Sequence, residues 1–435
     1  MKNMGKAAPF RMGYLLRTFP VLSETFVAGE INEVTRLTGQ APVIAALNRP
    51  GAGQAGEWPE GRTSGISYWR DIDKWRFGRI AKAHVSLLAR NAGRTFVGLK
   101  TPGEGFTLGG RIKAAVLADF FLTRGVCHLH SHFGWEQADT LLFLKRLCGL
   151  PYSLTLHAAD IFVAPEKLAE RGARASFVAT ISGYNRRVLV TRFGLPEEKI
   201  HVVHCGVDVR AFAPRPDQSW AQSAASGRGP GRVVCVGRMV PKKGFGILLH
   251  ALAILRAQGV DVRAEFVGDG PKRHELERLS GELGLTERVL FTGALTPEQT
   301  VARVGNGHIF ALACMMAEDG DMDGIPVALM EAMAMEKPVV STRLSGIPEL
   351  VAKGCGLLAR PGDPASLAGR IRTLLDEPEL AQKLARAGRA RVEKHFSLTG
   401  QARRILALAM NCRVPAPAGD SRADGPVLAK GAEGA

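Results

Sequence analysis

From Arg232 onward the chain keeps one beat: a short β-branched run, a glycine or polar turn, then a helical stretch. The runs are Arg232–Val236, Ala264–Val267, Arg288–Phe291, His308–Leu312, Pro338–Ser341 and Cys355–Leu358, with helical spacing over Gly246–Gln258 and Pro271–Leu283. Parallel strands need a crossover, and a helix supplies it, so this alternation predicts a parallel sheet with helices on both faces. Ligands of such sheets bind beyond the carboxyl ends of the strands. The turns that end each run are therefore the places to search.

The first half repeats the beat less cleanly. Arg11–Leu16, Pro42–Leu47, Val126–His130, Tyr152–Leu156 and Phe177–Ile181 read as strands, and Glu24–Leu37 reads as a helix. A chain of 435 residues exceeds what one core usually fills, so two domains are expected. The stretch Pro214–Pro230, rich in Pro, Ser, Gly and Ala, marks the join near residues 205–230. The segment 413–435 is Pro, Ala and Gly without periodicity and is expected to be disordered.

With 46% hydrophobic and 23% charged residues the chain is globular in composition. No run of 18 apolar residues is present, and the N-terminus lacks the apolar segment of a signal peptide. The expectation is a cytoplasmic protein. Its seven cysteines are scattered without a C-x-x-C pair, which reads as reduced thiols. The net charge is +16, and residues 1–205 carry 27 Lys and Arg against 16 Asp and Glu. That excess favours anionic partners without choosing among nucleic acid, phospholipid and phosphorylated small molecules.

Among the turns, Asp323-Gly-Ile-Pro-Val-Ala-Leu-Met-Glu331 carries the strongest signal. Pro326 suits the first residue of a helix, and Gly324, Ile325, Pro326 and Val327 then mark a helix start that attracts an anion. Glu331 is the lone carboxylate in an apolar helix. Burying it demands a partner, either a ligand hydroxyl pair or a neighbouring Arg. Gly237, Arg238 and Lys243 follow a buried strand; two cations in one loop suit a diphosphate, or form an ordinary basic turn. Gly268-Asp-Gly270 is a weaker turn of the same kind. In the first half, Ser23 reads as the N-cap of a helix beginning at Glu24, or as a cleft loop in which Ser23 and Glu24 reach ligand. His128, His130 and His132 share one strand face, yet adjacent strand positions rarely converge on one ion and no metal is expected. His157 ends a strand with Asp160 three residues on, where a histidine makes hydrogen bonds and handles protons, or is simply a satisfied structural residue. Residues 68–82 interleave aromatics with cations, which fits an anionic membrane surface or a solvated basic face.

Together these pieces resemble the retaining GT-B glycosyltransferases of family 4 type, in particular the bacterial colanic-acid and exopolysaccharide branch. The matching stretches, in family order, are Phe19–Phe26, His130–Gly134, Leu156–Asp160, Cys205–Asp208, Gly237–Phe245, Asp323–Ala334 and Ser345–Glu349. The resemblance implies an α/β fold of two Rossmann-like doubly wound domains facing a central cleft. Residues 1–205 would form the acceptor domain, 206–395 the nucleotide-sugar donor domain, and 396–412 a helix crossing back to the first. It further implies that Arg238 and Lys243 bind the donor diphosphate, Glu331 the ribose, and that His157 and Asp323 lie at the transferred sugar. No cofactor or metal is implied. The acceptor would be a polyprenyl-diphosphate-linked or other saccharide, reached from the inner membrane leaflet, with no nucleic acid involved. One position departs: the family's first acid is Glu, and Asp323 is one methylene shorter. Two rivals are a nucleotide-sugar epimerase of related fold and a non-catalytic basic protein that binds anionic lipid or nucleic acid. The latter gives no reason to bury Glu331.

Overall fold

The computed structural model describes residues 10–21, 24–51, 66–69, 77–100, 108–214 and 229–412. Ser23, most of the aromatic-basic stretch after Trp69, and the segment 413–435 lie outside the described residues.

The alternating pattern folds into two parallel sheets. The first contains β1 (Met12–Thr18), β2 (Val43–Asn48), β3 (Ser67–Tyr68), β4 (His128–His132), β5 (Tyr152–Leu156), β6 (Phe177–Thr180) and β7 (Ile200–Val202), in the order β3-β2-β1-β4-β5-β6-β7. The second contains β8 (Gly231–Val236), β9 (Val262–Val267), β10 (Val289–Gly293), β11 (Ile309–Ala311), β12 (Val339–Thr342) and β13 (Leu357–Ala359), in the order β10-β9-β8-β11-β12-β13. Each sheet winds outward in both directions from a central pair, β1/β4 in the first and β8/β11 in the second. The crevice at such a switch point is where these folds bind ligands. Among the described residues, β3 and β7 were not read from the sequence. Each is an edge strand of two or three residues, too short to show an alternation.

The second sheet and its helices share one core that includes Val233, Phe266, Phe310, Leu329 and Ile371. The first sheet has a core on each face. One is built with Leu129, Leu154 and Leu141. The other joins Tyr14 and Leu16 of β1 to Val27, Ile31 and Val34 of the helix Thr25–Thr38. That second core also takes Ala402, Ile405, Leu406 and Ala409 from the helix Leu398–Asn411. Their i, i+3, i+4, i+7 spacing makes one apolar stripe. The last helix thus follows the second sheet in sequence but packs on the first. Truncating Ile405 to Ala in this setting costs roughly 2–5 kcal/mol.

Two helix starts differ from the sequence reading. The first helix begins at Thr25, with Glu24 as its N-cap at φ −120°, ψ 39°. Pro326 is the N-cap of the helix Val327–Ala334 rather than its first turn. Its ring fixes φ at −64°, which serves either position, but its ψ of 129° is extended.

Candidate active site

At the switch point of the second sheet, three loops lie against one another. A Cβ on Gly268 would stand 2.1 Å from the Gly237 carbonyl oxygen, and one on Gly270 2.7 Å from the Met239 nitrogen. The glycines of the 268–270 turn are therefore packing glycines that let two loops meet. Gly244, at φ +66°, turns the chain so closely that a Cβ would fall 1.9 Å from the Ala313 carbonyl oxygen. That approach sets Lys243 beside the loop after β11. Its Nζ pairs with Asp323 at 2.8 Å, and its stem covers Gly237. Lys242, which the sequence did not single out, reaches Asp321 at 2.9 Å and Asp323 at 3.8 Å.

The charges here have definite states. Burial alone would raise the Asp323 carboxyl, but Lys243 and Lys242 outweigh it and hold the group below its ordinary value. Burial alone would strip Lys243 of its proton, and Asp323 outweighs that in turn. Both ends of the pair are ionised. Arg238 is different: it is exposed at the end of β8 and its side chain has no hydrogen bond or ion pair among the described residues. The pocket therefore presents a free guanidinium next to a compensated Lys–Asp pair.

Glu331 lies in the second turn of the helix Val327–Ala334, with Leu329, Met330, Ala332 and Met333 buried around it. No Arg pairs with it, and its carboxylate has no partner among the described residues. Burial alone pushes its carboxyl up to about 7. The first N–H groups of that helix are those an α-helix leaves unbonded, at the positive end of its dipole. Gly324, just ahead, is pinned against the first half: a Cβ there would meet Ile181 at 2.5 Å and the Asn185 amide at 3.8 Å. Asn185 is fully buried, and neither of its amide atoms has a partner. The Ser345–Glu349 stretch also crosses to the first half. The Glu349 carboxylate accepts the N–H groups of Gly183 and Tyr184, each at 2.8 Å, at the start of the helix Gly183–Thr191.

The first sheet's switch point is built from β1, β4 and β5. The Glu30 carboxylate accepts the Tyr14 hydroxyl at 2.9 Å and faces the His132 Nε2 at 3.2 Å. The His132 Nδ1 meets the His157 Nε2 at 3.2 Å. Phe26 and Phe133 flank the His157 ring, with centroids 4.9 and 4.6 Å away. Burial raises the Glu24 carboxyl, and the charges of His132 and Arg17 oppose it. Burial also raises the Glu30 carboxyl, but His132, His130 and Tyr14 overcome that and bring it down to about 2. Burial and the nearby His132 push His157 well below its ordinary value, so it is neutral at pH 7. Its backbone N–H donates to Asp160 at 2.7 Å, and His157 is the N-cap of the helix Ala158–Phe162.

The three alternating histidines do share a face. His128 and His130 hydrogen-bond Ser153 at 2.8 and 2.7 Å, and His130 also meets Thr155 at 3.0 Å. Glu30, His130 and His132 bring ligand-type atoms within 4.8 Å of one another, with every such atom already paired to a hydroxyl, a ring or the carboxylate. Glu30 gave no signal in the sequence, because nothing local marks one Glu on a helix as the partner of a strand 102 residues away.

Comparison with known proteins agrees with this arrangement. Residues 217–391 match the family described as glycosyl transferases group 1, and residues 82–211 match Glycosyltransferase Family 4. An amylovoran biosynthesis glycosyltransferase, AmsK, of Erwinia amylovora is 32% identical across 66% of this chain and 68% of its own length. The putative colanic acid biosynthesis glycosyltransferase WcaL of Escherichia coli is 29% identical over 89% of this chain and 96% of its own. The Anabaena protein Alr3699/HepE, solved in complex with UDP, superposes with a TM-score of 0.68 over 92% of this chain and all of its own, at 18% identity, which is a likeness of fold. Two doubly wound parallel sheets are the GT-B architecture, and with these relatives the chain belongs to the family 4, group 1 glycosyltransferases.

Proposed function

We propose that this glycosyltransferase moves a sugar from a UDP- or GDP-linked donor to a lipid-linked or other saccharide acceptor during assembly of an exopolysaccharide. Configuration is retained and no metal takes part. The observation that carries the reading is Glu331, a desolvated carboxylate with no protein partner among the described residues. A vicinal hydroxyl pair, such as a ribose offers, supplies the donors it lacks. The free Arg238 and the N–H groups of Gly324–Val327 serve the two phosphates, with Lys243 held in place by Asp323. Asp323 and His157 face the transferred sugar from opposite halves. Residues 1–205 act as the acceptor domain, 206–395 as the donor domain, and 396–412 cross back.

The relatives support both halves of the donor statement. HepE was solved with UDP-glucose, whereas a mannosyltransferase of Mycolicibacterium smegmatis, 34% identical over 52% of this chain, is GDP-mannose-dependent. The acceptor reading rests on the helical segment Phe77–Lys100, which kinks at Asn91. It carries no acidic residue, and Val85, Leu88 and Phe96 stand 65%, 43% and 56% exposed beside the exposed Arg79, Lys82, Arg90 and Arg94. No helix among the described residues is long and apolar enough to cross a membrane. Such a face instead suits peripheral attachment to an anionic leaflet on the cytoplasmic side. Incubating the purified protein with labelled UDP- and GDP-sugars tests the proposal. Transfer or donor hydrolysis with one nucleotide class is expected; neither, together with no nucleotide binding, overturns it.

A further inference from the structure

With His132 neutral, the groups around Glu30 have one consistent placement of their protons. An ionised carboxylate only accepts, so Tyr14 donates to it and His132 presents Nε2–H to it. A neutral His132 then has its lone pair on Nδ1, which faces the Nε2 of His157 at 3.2 Å. His157 must carry its proton on Nε2 and keep its own lone pair on Nδ1. The same sense runs outward along β4. If His130 points Nε2–H toward Thr155 and Glu30, its Nδ1 accepts from the Ser153 hydroxyl, which in turn accepts the His128 Nε2–H. The unpartnered Nδ1 of His128 is then a lone pair rather than an orphaned N–H, the cheaper of the two.

A protonated His132 would reverse the chain. It would donate from Nδ1 to His157 and leave His157 with Nδ1–H. His157 is the N-cap residue of the helix Ala158–Phe162. A helix start offers N–H donors and a positive dipole end, so it favours an acceptor there and opposes a donor. The titratable groups around the His157 ring are Glu30 from the first helix, His130 and His132 from β4, Asp160 from its own helix, and His204 and Cys205 across a small shared cavity. Only Glu30 sits at the end of a hydrogen-bonded path to the ring.

We propose that Glu30 and His132 are positioning residues that lock His157 in the Nε2–H tautomer, neutral, with its Nδ1 lone pair turned to the helix start it caps. A ring in that state has its Nε2–H committed to His132 and its lone pair to the helix start, so it does not act as a proton donor to the leaving phosphate. This deepens the reading above and rests on His157 facing the transferred sugar.

The test is long-range proton–nitrogen NMR of histidine-labelled full-length protein from pH 6 to 8, with signals assigned by single-histidine variants. The expected spectra show His157 as a neutral Nε2–H tautomer throughout. An Nδ1–H tautomer or an imidazolium at His157 at pH 7 overturns the proposal, whatever the enzyme's activity. Failure of sugar transfer with the expected tautomers would instead count against the donor assignment alone. In Glu30→Gln, whose amide can also donate, His132 should become a tautomer mixture. Its kcat should fall about 10–100-fold, with the KM for the donor unchanged. Unchanged kcat and unchanged tautomers in that variant reject the role. The wild-type spectra decide the question even if Glu30→Gln does not fold.

Discussion

The two sheets end in opposite kinds of cluster. Around β1 and β4 almost every polar atom has found another: Tyr14, Glu30, His132, His157, Ser153 and His130 form one dry network. Around β8 and β11 the accounts stay open. Among the described residues Arg238 has no partner, Glu331 has none, and the helix start at Val327 has N–H groups to spare. A protein leaves a desolvated carboxylate unpaired only where something else completes it, since the cost otherwise is unrecovered. On the function proposed above, the closed cluster holds a group in position and the open one takes a ligand.

Substitutions that separate holding from binding test this contrast. The largest effect is expected at Lys243→Ala. It leaves Asp323 buried and unpaired, so stability should drop by about 3–5 kcal/mol, read by chemical denaturation, along with nucleotide affinity. Arg238→Ala should behave in the opposite way. Removing an unpaired, exposed guanidinium leaves the melting temperature unchanged, while calorimetry should show nucleoside diphosphate binding weakened by roughly 10–100-fold. If both variants destabilise equally, the distinction between paired and open cations fails.

Glu331 adds a pH signature. Its folded-state value of about 7 lies above the ordinary 4.5, so the folded chain without ligand carries no penalty below about pH 4.5. The penalty grows as pH rises toward 7 and is constant beyond. Glu331→Gln should therefore stabilise the empty protein at pH 8, by up to about 3 kcal/mol, and hardly at all at pH 4.5. Ribose hydroxyls donate to the ionised form, so wild-type affinity should rise from pH 6 to 8 and level off, whereas the Gln variant shows neither the rise nor the full affinity. The smallest effect is expected at Glu349→Gln, which weakens two charge-assisted bonds to Gly183 and Tyr184 and should cost about 1–2 kcal/mol. Small-angle scattering without nucleotide would then show a more open average shape.

Much of the open cluster was legible in the sequence, because its evidence is local. A glycine after a β-branched run, two cations in the next turn and one Glu in an apolar helix are all read within a few residues of one another. The closed cluster was not. The histidine alternation shows that three rings share a face, but what they meet there comes from distant segments. Ser153 and Thr155 come from β5, and Glu30 from a helix more than a hundred residues earlier. Glu349 was noticed only as part of a resemblance, since its partners lie 166 and 165 residues upstream. The glycines of the 268–270 turn also needed the structure, which shows a meeting of two loops. The position of Pro326 turns on a ψ angle that proline does not fix.

The most direct measurement is a calorimetric titration of the full-length wild-type protein and of Glu331→Gln with UDP and with GDP at pH 8. The account predicts one nucleotide bound per chain by the wild type, for one of the two bases, with the variant weaker by about 1–2 kcal/mol or more. Equal affinity in both proteins, or no binding of either nucleotide to the wild type, would contradict the claim that Glu331 was left unpaired for a ligand.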